Sequence, residues 1–279
     1  MVRENIVTTP FYFLTYVMII RNIVENSNVP SIDLLKLSDT GILKEIFPEL
    51  SALDYVYVSK TSKIHKNNFY HTLQVLDNVA KISTNPILRW AAVLHDIGKS
   101  KTQEEDPESG NWTFYNHNLI GYRMVPGILK MHNVPDEWQN DIKNLVLLHM
   151  RPVTLIKEPV TESAVRRVIT EAGPQLNDLM CLAEADITSR YRDKYLDNMK
   201  IVRKMMNDVI SKDYWENLNP VINGNWIIEH CILHDNSEIG VIKDHLKHLI
   251  ADKGYPNTFE ALYPEFLKII DSLKIKLRP

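Results

Sequence analysis

Five stretches of this sequence place histidines or carboxylates where apolar spacing turns them inward. His71 opens a run in which Val75, Asn78 or Val79, and Ile82 recur on its own face at the helical period, so its imidazole points toward a core. His95 and Asp96 follow an apolar run at 87–94, two adjacent polar groups at the end of a buried helix, with Gly98 placed to end it. His149 shares a stripe with Ile142 and Leu145 before Arg151 and Pro152 break the pattern, and Asp186 shares one with Leu179 and Leu182 or Ala183. His117 leads a helix carrying Ile120, Met124 and Ile128, with Asn116 before it as a candidate N-cap.

A single inward histidine is most often a hydrogen-bonded core residue. Buried carboxylates are different, because removing their charge from water costs several kcal/mol, in the range of about 3–5, unless a cation compensates it. Asp96 and Asp186 both sit on apolar faces, and a shared metal would offset all of these burial costs together. The mixed nitrogen and oxygen donors suit Mn, Fe, Co, Ni or Mg better than a cysteine-type zinc site.

The elements that must position these groups read as helices. The chain has 279 residues with only 9 glycines, and no long apolar/polar alternation suggests a sheet. The expected class is all-α, a helical bundle with N- and C-terminal helical extensions. Polar or proline-bearing breaks at 26–30, 59–68, 99–116, 153–162 and 217–224 divide it into an N-terminal segment at 1–60, a central domain at 61–210 and a C-terminal segment at 211–279. The apolar run at 11–20 is too short to span a membrane, and a buried helix is expected there rather than a secretion signal. Hydrophobic and charged fractions of 44% and 24% fit a packed globular protein and exclude a disordered one. A net charge of -3 gives no global basic field, so nucleic acid would need a local patch. Arg190, Arg192, Lys194, Lys200, Arg203 and Lys204 offer one, but Asp193 and Asp197 interleave and a solvated helix face is the simpler reading. Two cysteines without metal-type spacing point to a reducing, cytoplasmic setting.

The order His71, His95-Asp96, Asp186, with HDIGK at 95–99, resembles the signature of HD-superfamily metal phosphohydrolases. His117 and His149 sit where members holding a second metal carry two further histidines. NNFYHTLQVLDNVA, LRWAAVLHDIGK, WTFYNHNLIG, LVLLHMRP, SAVRRVI and LAEADITS resemble the C-terminal half of bacterial tRNA nucleotidyltransferases, the CCA-adding enzymes. GILKEIFPEL resembles their neck, and INGNWIIEH, EIGVIKDHL and PNTFEAL resemble their tail. The resemblance implies one or two divalent ions and cyclic phosphodiesterase or phosphatase activity on a phosphoester or nucleotide substrate. It implies that His71, His95, Asp96 and Asp186 hold an ion that would lower the pKa of a bound water and polarise a phosphoryl oxygen, with His95, Asp96 and Lys99 as the catalytic residues. Lys99, one turn past His95, would meet a phosphate as a point charge, although it reads equally well as a solvated lysine beyond the helix end, and Arg151 is a weaker phosphate candidate. It also implies tRNA as a partner. Those enzymes add nucleotides with an N-terminal head that carries a Gly-Ser turn and D-x-D; neither occurs here, and VRENI at 2–6 stands where the neck is already under way. Nucleotide addition by this chain alone is therefore not expected. Two other readings are a noncatalytic tRNA-binding body and a nucleotide or second-messenger hydrolase.

Overall fold

The computed structural model describes residues 10–57, 67–156, 160–211 and 218–278. Most of the break expected at 59–68, part of that at 153–162, and the VRENI stretch lie outside the described residues. The helices in chain order are α1 (Pro10–Asn26), α2 (Pro30–Asp39), α3 (Ile42–Ile46), α4 (Pro48–Ala52), α5 (Asn68–Ile82), α6 (Pro86–Leu94), α7 (Lys99–Thr102) and α8 (His117–Met131). They continue with α9 (Gln139–Leu148), α10 (Met150–Leu155), α11 (Glu162–Ala172), α12 (Leu176–Asp186), α13 (Arg192–Ser211), α14 (Gly224–His230), α15 (Ser237–Lys253) and α16 (Phe259–Ser272). Two antiparallel ribbons of two-residue strands accompany them: β1 (Glu104–Glu105) with β2 (Trp112–Thr113), and β3 (Cys231–Ile232) with β4 (Lys276–Leu277). The chain is all-α.

The chain forms two compact units, one of Met1–Thr154 with Pro174–Met199, the other of Leu155–Gly173 with Lys200–Pro279. In the first, α6 is the central rod. The Asn85 side chain caps it by accepting from the Ile87 amide, Pro86 supplies a preset φ at its start, and every residue from 88 to 94 is buried. Its one charged side chain, Arg89, donates to the carbonyls of Ser27, Ala80 and Ser83. Helices α1, α5, α9 and α12 pack around this rod. In the second unit α11 and α16 pack on α15, Arg167 meets Asp252 at 3.0 Å, and Ile227, Leu246, Leu262 and Phe266 are fully enclosed.

Residues 11–20 are helical, but the helix is buried on one face only. Val17, Ile20, Ile23 and Val24 are enclosed, whereas Phe11, Leu14 and Met18 are exposed. None of the described helices is long and apolar enough to cross a membrane.

Gly98 is not the helix-ending residue its position suggested: its φ is -68°, within the ordinary right-handed region. Its absent side chain matters for another reason. A Cβ there would overlap the His117 carbonyl oxygen and lie 2.7 Å from the Gly121 amide nitrogen, both of them backbone. Glycine lets the turn after α6 touch the first turn of α8. Gly98→Ala should therefore lower unfolding stability by about 3 kcal/mol or more, since the obstructing atoms cannot rotate away. Gly121→Ala should be milder, because its nearest obstruction is the Val146 side chain at 3.2 Å. Urea titrations of both variants test this, and equal losses would contradict it.

His132, at the end of α8, is fully enclosed between Phe47 and Trp90, with ring centroids 4.5 and 5.5 Å away. Neither ring nitrogen has a hydrogen-bond partner among the described residues, and burial lowers its pKa to about 4. The unfolded chain protonates this residue near its ordinary value of about 6.5, so stability is full above that pH and falls as pH drops from about 6.5 to about 4. His132→Phe keeps an aromatic ring in the slot and removes this dependence. Between about pH 7.5 and about pH 5 the parent should lose about 2 kcal/mol more than the variant in urea unfolding. Equal losses would show that His132 is not the acid-sensitive group.

Candidate metal centre

Six side chains from five places in the first unit converge: His71 in the first turn of α5, His95 and Asp96 just past α6, His117 at the start of α8, His149 just past α9, and Asp186 at the end of α12. They form two sets, His71, His95 and Asp186, and Asp96, His117 and His149, each with its donor atoms within 4.8 Å of one another. In the first, His71 Nε2 is 2.9 Å and His95 Nε2 3.5 Å from Asp186 Oδ1, and the two nitrogens are 3.4 Å apart. In the second, His117 Nε2 and His149 Nε2 are also 3.4 Å apart. Asp96 reaches both. Its Oδ2 lies 3.2 Å from His95 Nε2 and 3.6 Å from His71 Nε2, while its Oδ1 lies 3.4 Å from His117 Nε2 and 3.8 Å from His149 Nε2.

Local backbone geometry fixes how three of the rings face the centre. His95 Nδ1 donates to the Ala92 carbonyl at 2.8 Å, His117 Nδ1 to Phe114 at 2.8 Å and His149 Nδ1 to Val146 at 2.7 Å, in each case three residues back. A carbonyl only accepts, so Nδ1 must carry the hydrogen and the neutral ring presents a bare Nε2 lone pair. Asn116 reaches a left-handed φ of 59° before His117 and makes no side-chain cap. His71 differs: its Nδ1 meets the Thr188 hydroxyl at 3.0 Å.

The charges are strongly coupled. Burial disfavours the His95 imidazolium, but Asp96 and Asp186 outweigh it and push the pKa up to about 10, so the carboxylates draw in a positive charge. Burial would raise Asp96 and Asp186, yet Lys99 and His95 hold Asp96 well below the usual carboxylate range, and His71 and His95 do so for Asp186. Burial and the neighbouring His95 charge lower His149 to about 4, and burial lowers His117, which keeps both rings neutral and able to ligate. Lys99 is turned inward: Nζ lies 2.6 Å from Asp96 Oδ2 and 3.2 Å from Asn68 Oδ1. It therefore supplies part of the compensation that the sequence seemed to leave to a metal alone. Arg151 is exposed in the first turn of α10 and stands outside the buried cluster.

Divalent ions with bonds of about 2.1 Å set neighbouring ligand atoms about 3.0 Å apart in an octahedron and about 3.4 Å apart in a tetrahedron. The separations within each set fall around these values, and the donors are imidazole nitrogens and carboxylate oxygens suited to such ions. The residues present fit one divalent ion in each set. Three contributors were given no role at the site by the sequence. Thr188 lies beyond the end of α12, Asn68 is buried and faces Lys99, and Asn78 Nδ2 donates to the Ala185 carbonyl at 2.9 Å, tying α5 to the residue before Asp186.

Comparison with known proteins agrees with this geometry. The chain is 38% identical over 193 residues to a multifunctional CCA protein of Methylococcus capsulatus, covering 66% of this chain and 44% of that protein. It is 30% identical over 152 residues to a CC-adding tRNA nucleotidyltransferase of Thermus thermophilus, covering 54% and 33%. It is 28% identical over 155 residues to an A-adding tRNA nucleotidyltransferase of Deinococcus radiodurans, covering 55% and 34%. These matches span less than half the length of each relative. The HD domain family matches residues 68–191, a span that contains every ligand of both sets. Residues 68–191 of this chain are an HD domain.

Proposed function

We propose that this chain is a metal-dependent phosphohydrolase acting on phosphoester bonds of cyclic nucleotides or RNA ends, with tRNA among its partners. The observation that carries this reading is the Asp96 carboxylate, which turns one oxygen to each of two histidine sets. Divalent cations held there, whether Mn, Ni, Co, Fe or Mg, would supply a nucleophile near neutral pH and polarise the phosphoryl oxygens. His71, His95, Asp96 and Asp186 would hold one ion, and His117 and His149 with Asp96 a second. Lys99 donates one ammonium hydrogen to Asp96 and one to Asn68, which leaves a third for a phosphoryl oxygen. On this reading 61–210 is the catalytic domain, 1–60 and 211–279 are neck-like and tail-like extensions, and the protein works in the cytoplasm.

A second reading, a noncatalytic tRNA-binding body, draws support from the tRNA nucleotidyltransferase names of the relatives and from Arg192, Lys194, Lys200 and Lys204, all exposed on α13. The two readings make different predictions. Protein purified without chelator should contain divalent metal. Asp96→Ala should lose most of it, while His149→Ala should keep the His71 set and about half the content. In a screen of cyclic, monoester and nucleoside phosphates with Mn, Ni, Co and Mg, His95→Ala and Asp186→Ala should abolish hydrolysis and leave the helical circular-dichroism signal. Lys99→Ala should lower turnover about tenfold to a hundredfold. An inactive parent that binds tRNA acceptor stems with salt-sensitive affinity would favour the second reading.

A further inference from the structure

Helix α1 has two unlike faces. Val17, Ile20, Ile23 and Val24 are enclosed within the first unit, where α1 packs on α2, α3 and α6. Its C-terminal half is also held by polar bonds: Arg21 donates to Glu25 and to the Asn133 carbonyl, and Glu25 accepts from the Trp90 indole at 3.0 Å. The opposite face is bare among the described residues. Phe11, Tyr12, Leu14, Met18 and Ile19 fall within an arc of about 160° at the helical repeat of about 100° per residue. Phe11 and Met18 are the most exposed of them, at 76% and 62%. No residue from 10 to 20 is charged.

Area and spacing say what covers this face. Taking about 200 Å² for a whole aromatic side chain and somewhat less for an aliphatic one, the five residues expose about 500 Å². A patch of that size on a soluble protein marks an interaction site. Two copies pressed together would remove about 1,000 Å², enough for a specific contact at the small, reversible end of the range. An uncharged face offers nothing to a charged partner or an anionic lipid surface, but it meets its own copy without repulsion. The spacing is self-complementary as well. Phe11 and Met18 are seven residues apart with Leu14 between them, the 3–4 spacing of a helix seam. In an antiparallel pair with its twofold axis beside Leu14 and Thr15, Phe11 of each copy meets Met18 of the other, an aromatic ring against a thioether. Such a pair also opposes the two helix dipoles. Sliding it one turn would set Phe11 against the exposed, polar Asn22.

We propose that a second copy of this chain docks on the bare face of α1, giving a reversible homodimer joined by an antiparallel helix pair. The contact lies outside both ligand sets, so it stands independently of the hydrolase reading.

Sedimentation of the full chain from about 1 to about 200 μM should show a mass rising from 32.4 kDa toward twice that value. Phe11→Glu and Met18→Lys each place an unpaired charge in the seam and should weaken association about tenfold or more, with the helical circular-dichroism signal unchanged. An equimolar mixture of the two variants should associate more tightly than either alone, because the new carboxylate of one copy then faces the new ammonium of the other. A parent that stays at 32.4 kDa throughout, variants that associate as the parent does, or a mixture no tighter than its components would each overturn the proposal. A monomeric parent that instead sediments with phosphatidylcholine vesicles would assign the face to a lipid surface and overturn it as well.

Discussion

The rest of the first unit is arranged around a carboxylate taken out of water. Asp96 is almost fully enclosed, yet it stays ionised because Lys99 and His95 meet one side of it and further imidazoles meet the other. A charge in that position is tolerable only when its partners are held at short range. That requirement explains why the surrounding helices are so regular. The seven successive buried residues of α6 anchor Asp96 from below, while α5, α8, α9 and α12 each deliver a ring or a carboxylate from their ends. Helix ends suit this task, because a histidine there can bond a carbonyl three residues back and still aim its other nitrogen outward.

Side chains of fixed length cannot adjust to a loose frame, so the backbones must approach closely. Gly98 and Gly121 bring the turn after α6 against α8 with nothing between them. His117 leads that helix, and its distance to Asp96 is set by this backbone contact rather than by any flexible linkage. The hydrogen bond from Asn78 to the Ala185 carbonyl performs the corresponding task for Asp186. The centre thus depends on a glycine and an amide outside both ligand sets.

Much of this was legible in the residues themselves. An imidazole on an apolar stripe has to point inward, so His71, His149 and Asp186 could be placed from spacing, and His95 with Asp96 from the apolar run before them. What spacing does not reveal is which partner an inward group meets. Lys99 can face solvent or fold back three residues onto Asp96, and only packing against Asn68 and Phe114 decides it. Thr188 follows a helix end, where periodicity stops carrying information. The requirement for Gly98 comes from a helix about twenty residues farther along. The run at 11–20 misled for a related reason: apolar content signals burial on average, whereas only Val17 and Ile20 in that stretch face the core.

Because the single side chain of Asp96 lies against both histidine sets, any cations held by the two would be thermodynamically linked. A cation held by the His71 and His95 side of Asp96 would withdraw electron density from the carboxylate and weaken the donor left for the His117 and His149 set. Were both sets to hold a cation, the second would bind more weakly than the first. By reciprocity the penalty is the same whichever set fills first.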